Sequence, residues 1–84
     1  MMRFTATVEV TLREGIADPE AQTIERALPA LGFSSVHGLR GGRHFSFAVD
    51  AEDLEAATAV ATEVASRLLS NPVIEQHDVA VQPA

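Results

Sequence analysis

One segment, Leu68-Leu69-Ser70-Asn71-Pro72-Val73-Ile74-Glu75, ends a helical pattern and begins a strand within eight residues. Proline biases the residue before it toward extended backbone, so the helix is expected to end at or before Ser70. Val73 and Ile74 then begin an extended run that reaches Val81, which predicts the last strand of the chain. The segment is therefore a helix–strand junction.

Toward the N-terminus, the residues from Arg3 to Leu12 alternate strictly between apolar and polar, which predicts a strand with one covered and one exposed face. Asp18 is a favourable helix N-cap, and Pro19 is a favourable first helical residue. Pro29 interrupts the helical pattern that follows, so we expect a kink there or a looser turn from Leu28 onward.

The middle of the chain predicts two more strands, over residues 35–40 and 43–49, joined through Gly41-Gly42 as a tight hairpin. Asp50 is expected to cap a second helix, whose apolar residues recur at helical spacing from Leu54 to Leu68. The resulting order predicts a single α+β domain over residues 1–84. Its fold would be βαββαβ and ferredoxin-like: a four-stranded antiparallel sheet with two helices on one face.

The composition restricts the possible functions. The chain has 84 residues, a net charge of −6, and no cysteine, lysine, tyrosine or tryptophan. It therefore has no thiol nucleophile, no Schiff-base lysine and no phosphate-loop lysine. Its charge opposes general attraction to nucleic acid or to an anionic membrane.

Size and hydropathy suggest an oligomer in the cytoplasm. A chain this short buries only about 60–65 % of the surface that it exposes when unfolded, so association with a second copy is expected. Residues 3–12 already form a strand pattern, which leaves no N-terminal targeting signal in the sequence. No apolar run approaches the roughly 20 residues that span a bilayer. We therefore expect a cytoplasmic homo-oligomer.

No pattern points to a catalytic, cofactor or metal site. His37, His44 and His77 lie in separate regions without ligand spacing. The serines do not lie in a nucleophile turn, and Arg13-Glu14-Gly15 is only a fragment of an acylphosphatase-type loop. The run Arg43–Ala48 loosely matches an RNA-recognition signature but lacks its glycine, so its phenylalanines are interpreted as core residues.

Asp18-Pro19, Gly42-Arg43 and Asn71–Glu75, taken in that order, resemble the PurS family, the small subunit of phosphoribosylformylglycinamidine synthase. The resemblance covers nearly all of residues 3–82. It implies a dimerising, non-catalytic subunit of a glutamine-dependent, ATP-consuming carbon–nitrogen ligase complex in de novo purine biosynthesis. Such a subunit would bridge a glutaminase subunit and a synthetase subunit and support ammonia transfer between them. ATP and magnesium would bind the synthetase subunit, and this chain would hold no cofactor.

The resemblance also implies a role for each matching residue. The expected structural caps are Asp18, Pro19 and Asp50. The expected partner-interface residues are Arg40, Gly42, Arg43, Asn71, Pro72, Val73, Ile74 and Glu75. The partners would be a second copy in a homodimer, which could double to a tetramer, and the two enzyme subunits. A different function stays open: a homodimeric regulatory module of the same topology that binds a small ligand.

Overall fold

A computed structural model describes all 84 residues and contains three strands and two main helices. The elements are β1 (Met2–Leu12), α1 (Pro19–Ala27), β2 (Gly42–Ala51), α2 (Leu54–Val64) and β3 (Glu75–Pro83). A 3₁₀ turn over Pro29–Leu31 follows α1, and a π turn over Ala65–Leu69 continues α2. The strands form one antiparallel sheet in the order β2-β1-β3.

The core lies between α2 and one face of the sheet. The central strand β1 buries Phe4, Ala6, Val8 and Val10 on this face. The helix side contributes only alanines that are fully buried: Ala57, Ala61 and Ala65. Because alanine has no side chain beyond Cβ, the helix can lie close to the sheet. The opposite face of β1, which carries Thr5, Thr7, Glu9 and Thr11, is not covered by a helix, as the alternation predicts.

The structure corrects the four-stranded prediction, because residues 35–40 form a loop and not a strand. Gly38 has φ +69, a left-handed conformation that extended strand backbone does not adopt. Gly41-Gly42 therefore forms no hairpin. Gly41 lies in the loop, where its N–H donates to the Asp18 carboxylate, and Gly42 begins β2. The outer edge of β2 consequently has no neighbouring strand.

Two predicted boundaries are also wrong. Asp50 does not cap α2, since β2 continues through Ala51, whose side chain is buried in the core. Asp53 is the N-cap, and its carboxylate accepts from the N–H of Ala56 at 2.8 Å. Val73 and Ile74 lie in a turn, and β3 begins only at Glu75.

Other local predictions are confirmed. Asp18 caps α1 by accepting from the N–H of Ala21 at 3.1 Å, and Pro19 is the first helical residue. The α-helix stops before Pro29 and finishes in the 3₁₀ turn, because proline cannot donate the next backbone hydrogen bond. The second helical segment ends before Ser70.

The chain is extended and exposes much of its surface. Its dimensions are 53 × 27 × 14 Å and its radius of gyration is 16.6 Å, against about 12 Å for a compact chain of this length. Its accessible surface is 5972 Å², roughly 1,000 Å² more than a compact monomer of its mass exposes. Only α2 packs broadly on the sheet, whereas α1 mainly contacts the turn that follows it. No helix in the structure combines the length and the apolar character needed to cross a membrane.

The contact between Gly42 and β1 gives the first prediction. A Cβ at Gly42 would meet the carbonyl oxygen of Val10 at 2.6 Å and the Thr11 side chain at 3.1 Å. Since backbone must shift to relieve such a clash, Gly42→Ala is expected to destabilise the fold by about 1–3 kcal/mol. Urea unfolding at one fixed protein concentration measures the change.

Gly41→Ala is the matched control for this substitution. A Cβ at Gly41 meets only the Asp18 carboxylate, at an ordinary distance of 3.7 Å, so its effect should stay within about 0.5 kcal/mol. Equal unfolding midpoints for the two variants would show that the close approach of Gly42 to β1 does not constrain the fold.

Candidate functional site

The site is built on the turn of residues 71–75, which we call the junction turn. Asn71 organises it: the Asn71 carbonyl accepts from the N–H groups of Ile74 and Glu75, at 3.1 and 2.7 Å. The Asn71 side chain also accepts from the N–H of Val73 at 3.1 Å. This side-chain bond is an Asx turn, which holds the chain as it leaves Pro72.

Glu75 closes the junction turn from its C-terminal side. Its carboxylate accepts from the N–H of Asn71 at 2.7 Å. Arg43, on β2, donates to both carboxylate oxygens of Glu75, at 2.8 and 3.0 Å. The same guanidinium donates to the carbonyl of Leu69 at 3.2 Å and lies 5.6 Å from the centre of the Phe45 ring. Arg43 therefore ties β2 to both the end of the π turn and the start of β3.

Arg13 holds the other side of the junction turn. The register pairs Leu12 with Glu75, so the residue after β1 lies beside the residue before β3. The N–H of Arg13 donates to the carbonyl of Ile74 at 2.8 Å, and its guanidinium donates to the carbonyl of Pro72 at 3.0 Å. The junction turn is thus fastened to β1 as well as to β2.

A shallow cleft of about 250 Å³ lies next to this network, between the start of α1 and the end of the sheet. Asp18 lines it and joins two segments, because its carboxylate accepts from the N–H of Ala21 and, at 3.3 Å, from that of Gly41. Arg40, on the adjoining loop, donates to the carbonyl of Leu12. Arg43 and Glu75 form the wall that the cleft shares with the junction turn.

Glu75, in the junction turn, is the residue of the site whose pKa is shifted. The hydrogen bond from the Asn71 backbone, and then that from Arg43, hold the pKa of Glu75 below its usual value, although burial acts in the opposite direction. Arg3 similarly lowers the pKa of Asp50 through a hydrogen bond of 2.9 Å, but that pair is exposed at the far end of β1.

The structure thus brings most of the predicted interface residues together. Glu75 contacts both Arg43 and Asn71 directly, and Arg40 and Gly42 lie just before Arg43 in the sequence. Val73 and Ile74 are exposed residues, with exposed fractions of 81 % and 38 %.

The histidines and phenylalanines lie apart from this site or in the core. His44 pairs with Glu9 on the uncovered sheet face, and His77 lies 3.3 Å from the Ser70 hydroxyl. No three His, Cys, Asp or Glu side chains are grouped in a way that could hold a metal ion. Phe45 and Phe47 pack against the core and not on the uncovered face, where an RNA-recognition sheet would need them.

Comparison with known proteins gives a consistent result over nearly the whole chain. The family model described as PurS, phosphoribosylformylglycinamidine (FGAM) synthase, matches residues 5–83. The chain belongs to the PurS family. The PurS subunit of the synthase from Methanothermobacter thermautotrophicus is 39% identical over 80 residues, which cover 95% of this chain and 94% of that protein. The resemblance inferred from the three short motifs is thereby confirmed.

Solved PurS structures share the fold. The Methanocaldococcus jannaschii PurS, one of the subunits of formylglycinamide ribonucleotide amidotransferase, superposes with a TM-score of 0.85 at 32% identity, covering 96% of this chain and 98% of that one. The PurS chain in the PurLQS structure from Thermotoga maritima superposes with a TM-score of 0.89 at 33% identity, covering 98% and 100%. The three-stranded arrangement is therefore part of a PurS-like fold, although the sequence suggested four strands.

Sequence reasoning missed Arg13 as a member of this site. The local sequence places Arg13 only in a fragment of an acylphosphatase-type loop. Its role follows from the pairing of Leu12 with Glu75, a long-range register that the local pattern does not contain. Pairing the strand pattern of β1 with that of β3 in the sequence could have indicated that Arg13 lies beside the junction turn.

The lowered pKa of Glu75 predicts a pH-dependent stability for this PurS chain. Ionised Glu75 stabilises the fold fully above the ordinary pKa of 4.5, and this contribution is lost as the pH falls through the lowered folded-state value. Glu75→Gln should therefore unfold at a lower temperature than the wild type near neutral pH. The difference should shrink as the pH is lowered below 4.5. Thermal unfolding followed by circular dichroism across this range measures it.

Glu52→Gln serves as the control, because Glu52 is exposed and lies outside the junction turn. This control should shift the unfolding temperature little at any pH. A constant gap between wild type and Glu75→Gln across the whole pH range would contradict the assigned role of the Glu75 carboxylate.

Proposed function

We propose that this chain is the non-catalytic assembly subunit of an FGAM synthase, and that it holds a glutaminase and a synthetase subunit together. Its benefit would be proximity: ammonia released by one enzyme reaches the other before it is diluted or protonated. Membership of the PurS family is the observation that carries this proposal.

The best structural support comes from a relative that was solved inside a complex. The Thermotoga maritima chain in PurLQS matches this chain over 98% of its length. A TM-score of 0.89 means that the two backbones have the same overall shape, so a surface that is used in that assembly has a counterpart here.

The exposed surface supports association with other chains. A typical specific interface removes about 800 Å² from each partner, which is similar to the surplus surface of the isolated chain. The exposed large apolar residues include Ile24, Leu31 and Phe33 around α1 and Leu68 beyond α2. We propose that a homodimer covers part of this surface and that the enzyme subunits cover another part.

The chemistry of the site fits a scaffold better than an enzyme. Arg43 and Glu75 are committed to each other and to the backbone of the junction turn. The sequence provides no cysteine and no lysine for covalent catalysis. We propose that ATP and magnesium bind the synthetase partner and not this chain. The cytoplasmic location expected from the sequence stays a prediction.

The scaffold role predicts a conditional effect on catalysis. Adding this chain to the glutaminase and synthetase subunits from the same genome should increase glutamine-dependent amidine formation strongly. With excess ammonium salt as the nitrogen donor, the chain should change the rate little, because the synthetase then needs no delivered ammonia. Steady-state assays with the two nitrogen donors measure the contrast.

The two assays separate delivery from a general activation of the synthetase. Equal stimulation with glutamine and with ammonium would indicate activation and would contradict the bridging role. If the chain stimulates the reaction with neither nitrogen donor, under conditions where both enzymes are folded, the proposed function itself is contradicted.

The cleft beside Asp18 is the observation that favours the alternative, a regulatory module that binds a small ligand. Against it, Asp18, Arg43 and Glu75 in that cleft already have partners within the chain. Isothermal calorimetry of the isolated chain against amino acids and purine-pathway intermediates should therefore show no saturable binding. Saturable binding that Asp18→Asn abolishes would favour the regulatory function.

A further inference from the structure

Residues 17–41, which we call the α1 segment, contribute almost nothing to the core of the molecule. Of the ten buried residues of the chain, only Ala21 lies in this segment, and Ala21 belongs to neither of the two clusters of buried apolar side chains. Those clusters are formed by residues of β1, β2, α2 and the π turn. The core is therefore complete without the α1 segment.

The hydrogen bonds of the α1 segment run mainly within the segment itself. The carboxylates of Asp18 and Glu25 accept from the backbone N–H groups of Gly41 and Leu39, both at 3.3 Å, and so hold the end of the segment to α1. The backbone bonds of its turns also begin and end inside the segment. These bonds make the α1 segment a unit of its own without fixing it to the sheet.

One hydrogen bond joins the α1 segment to the sheet. The guanidinium of Arg40 donates to the carbonyl of Leu12, the last residue of β1. Arg40 is exposed, so water competes for both groups whenever the bond opens. This contact can hold the segment in place, but it can also be released at little cost.

Both ends of the α1 segment meet the sheet at the same place. Gly15, with φ +85, lies in the turn that leads from β1 into the segment, and Gly41 directly precedes β2. The strand register pairs Thr11 with Gly42, so the two connections leave from neighbouring positions on β1 and β2. Adjacent ends of this kind allow a segment to swing as one body, because only a few backbone angles have to change.

The cleft of about 250 Å³ is the space that separates the α1 segment from the sheet. Ala21, Ile24 and Leu39 line it from the segment, and Val10 and Leu12 line it from β1. The apolar contact across this space is incomplete, since Ile24 stays 45 % exposed. A gap between two apolar surfaces forfeits much of their dispersion attraction, so packing alone holds the segment weakly.

We propose that the α1 segment opens away from the sheet as one unit, while the three strands and α2 stay folded. Arg40 is the latch of this movement, because it makes the single hydrogen bond between the segment and the sheet. Asp18 and Glu25 keep the segment together as it moves, since both of their bonds lie inside it. Opening widens the cleft. The inference concerns this chain alone and goes beyond the proposed assembly function.

Native-state hydrogen exchange of the full chain, followed at each amide by NMR, tests the opening. A helix of nine residues is marginal in water without packing, so release of the segment lets the amides of α1 exchange. These amides should share one opening equilibrium and exchange about tenfold faster, or more, than the amides of β1 and α2. Low concentrations of urea should accelerate them less steeply, because a partial opening exposes less surface than global unfolding.

Arg40→Ala removes the latch and should accelerate exchange of the α1 amides about fivefold further, with the amides of β1 and α2 unchanged. Arg26→Ala is the matched control. Arg26 is an exposed arginine in the last turn of α1 and makes no hydrogen bond or ion pair to the sheet. This control should leave the exchange rates close to those of the wild type.

Equal opening equilibria for α1, β1 and α2 in the wild-type chain would overturn the inference, because the chain would then open only as a whole. Exchange rates that rise progressively toward the ends of α1 would also overturn it, since they indicate fraying of single residues. Equal effects of Arg40→Ala and Arg26→Ala would contradict the assignment of Arg40 as the latch. These results leave the assembly function untouched, which the assays with two nitrogen donors test separately.

Discussion

The Glu75 carboxylate, with its bonds to Asn71 and Arg43, is the interaction on which the arrangement of this molecule depends. It lies where the chain passes from the second helix to the last strand, and it connects the backbone of the turn to the strand β2. Antiparallel pairing of β3 with β1 begins at this residue. A one-residue shift at this point would place the apolar residues of β3 on the wrong face of the sheet.

The rest of the fold is a thin core between α2 and the sheet, and the junction turn helps to fix the register of β3 in that sheet. Phe4, Val8 and Val10 are the largest fully buried side chains, and they all lie on the central strand. The helix opposite them contributes only alanines to the buried core, so the helix and the sheet lie close together and enclose little volume. Such a layer buries few residues for its length, which explains the extended shape and the large exposed surface. Association with other chains is the ordinary way to cover that surface.

The sequence predicted the features that depend on local chemistry and missed those that depend on distant contacts. The cap at Asp18, the break at Pro29 and the alternation of β1 are local, and the structure contains each of them. The segment 35–40 has a strand-like composition, but the conformation of Gly38 cannot be read from composition. The prediction that Asp50 caps α2 was wrong because burial of Ala51 extends β2, and this tertiary effect outweighs the local preference of Asp50 for a cap. Most of the candidate site was recognised through its motif, whereas Arg13 depended on strand register.

The polar side chains of the junction turn hold its shape from within the chain. Arg13, Asn71 and Glu75 use their polar groups inward, on the backbone of the chain itself. Val73 contributes nothing to the core, since most of its side chain lies in solvent. The inward bonds therefore account for the shape of the turn without any contribution from the Val73 side chain.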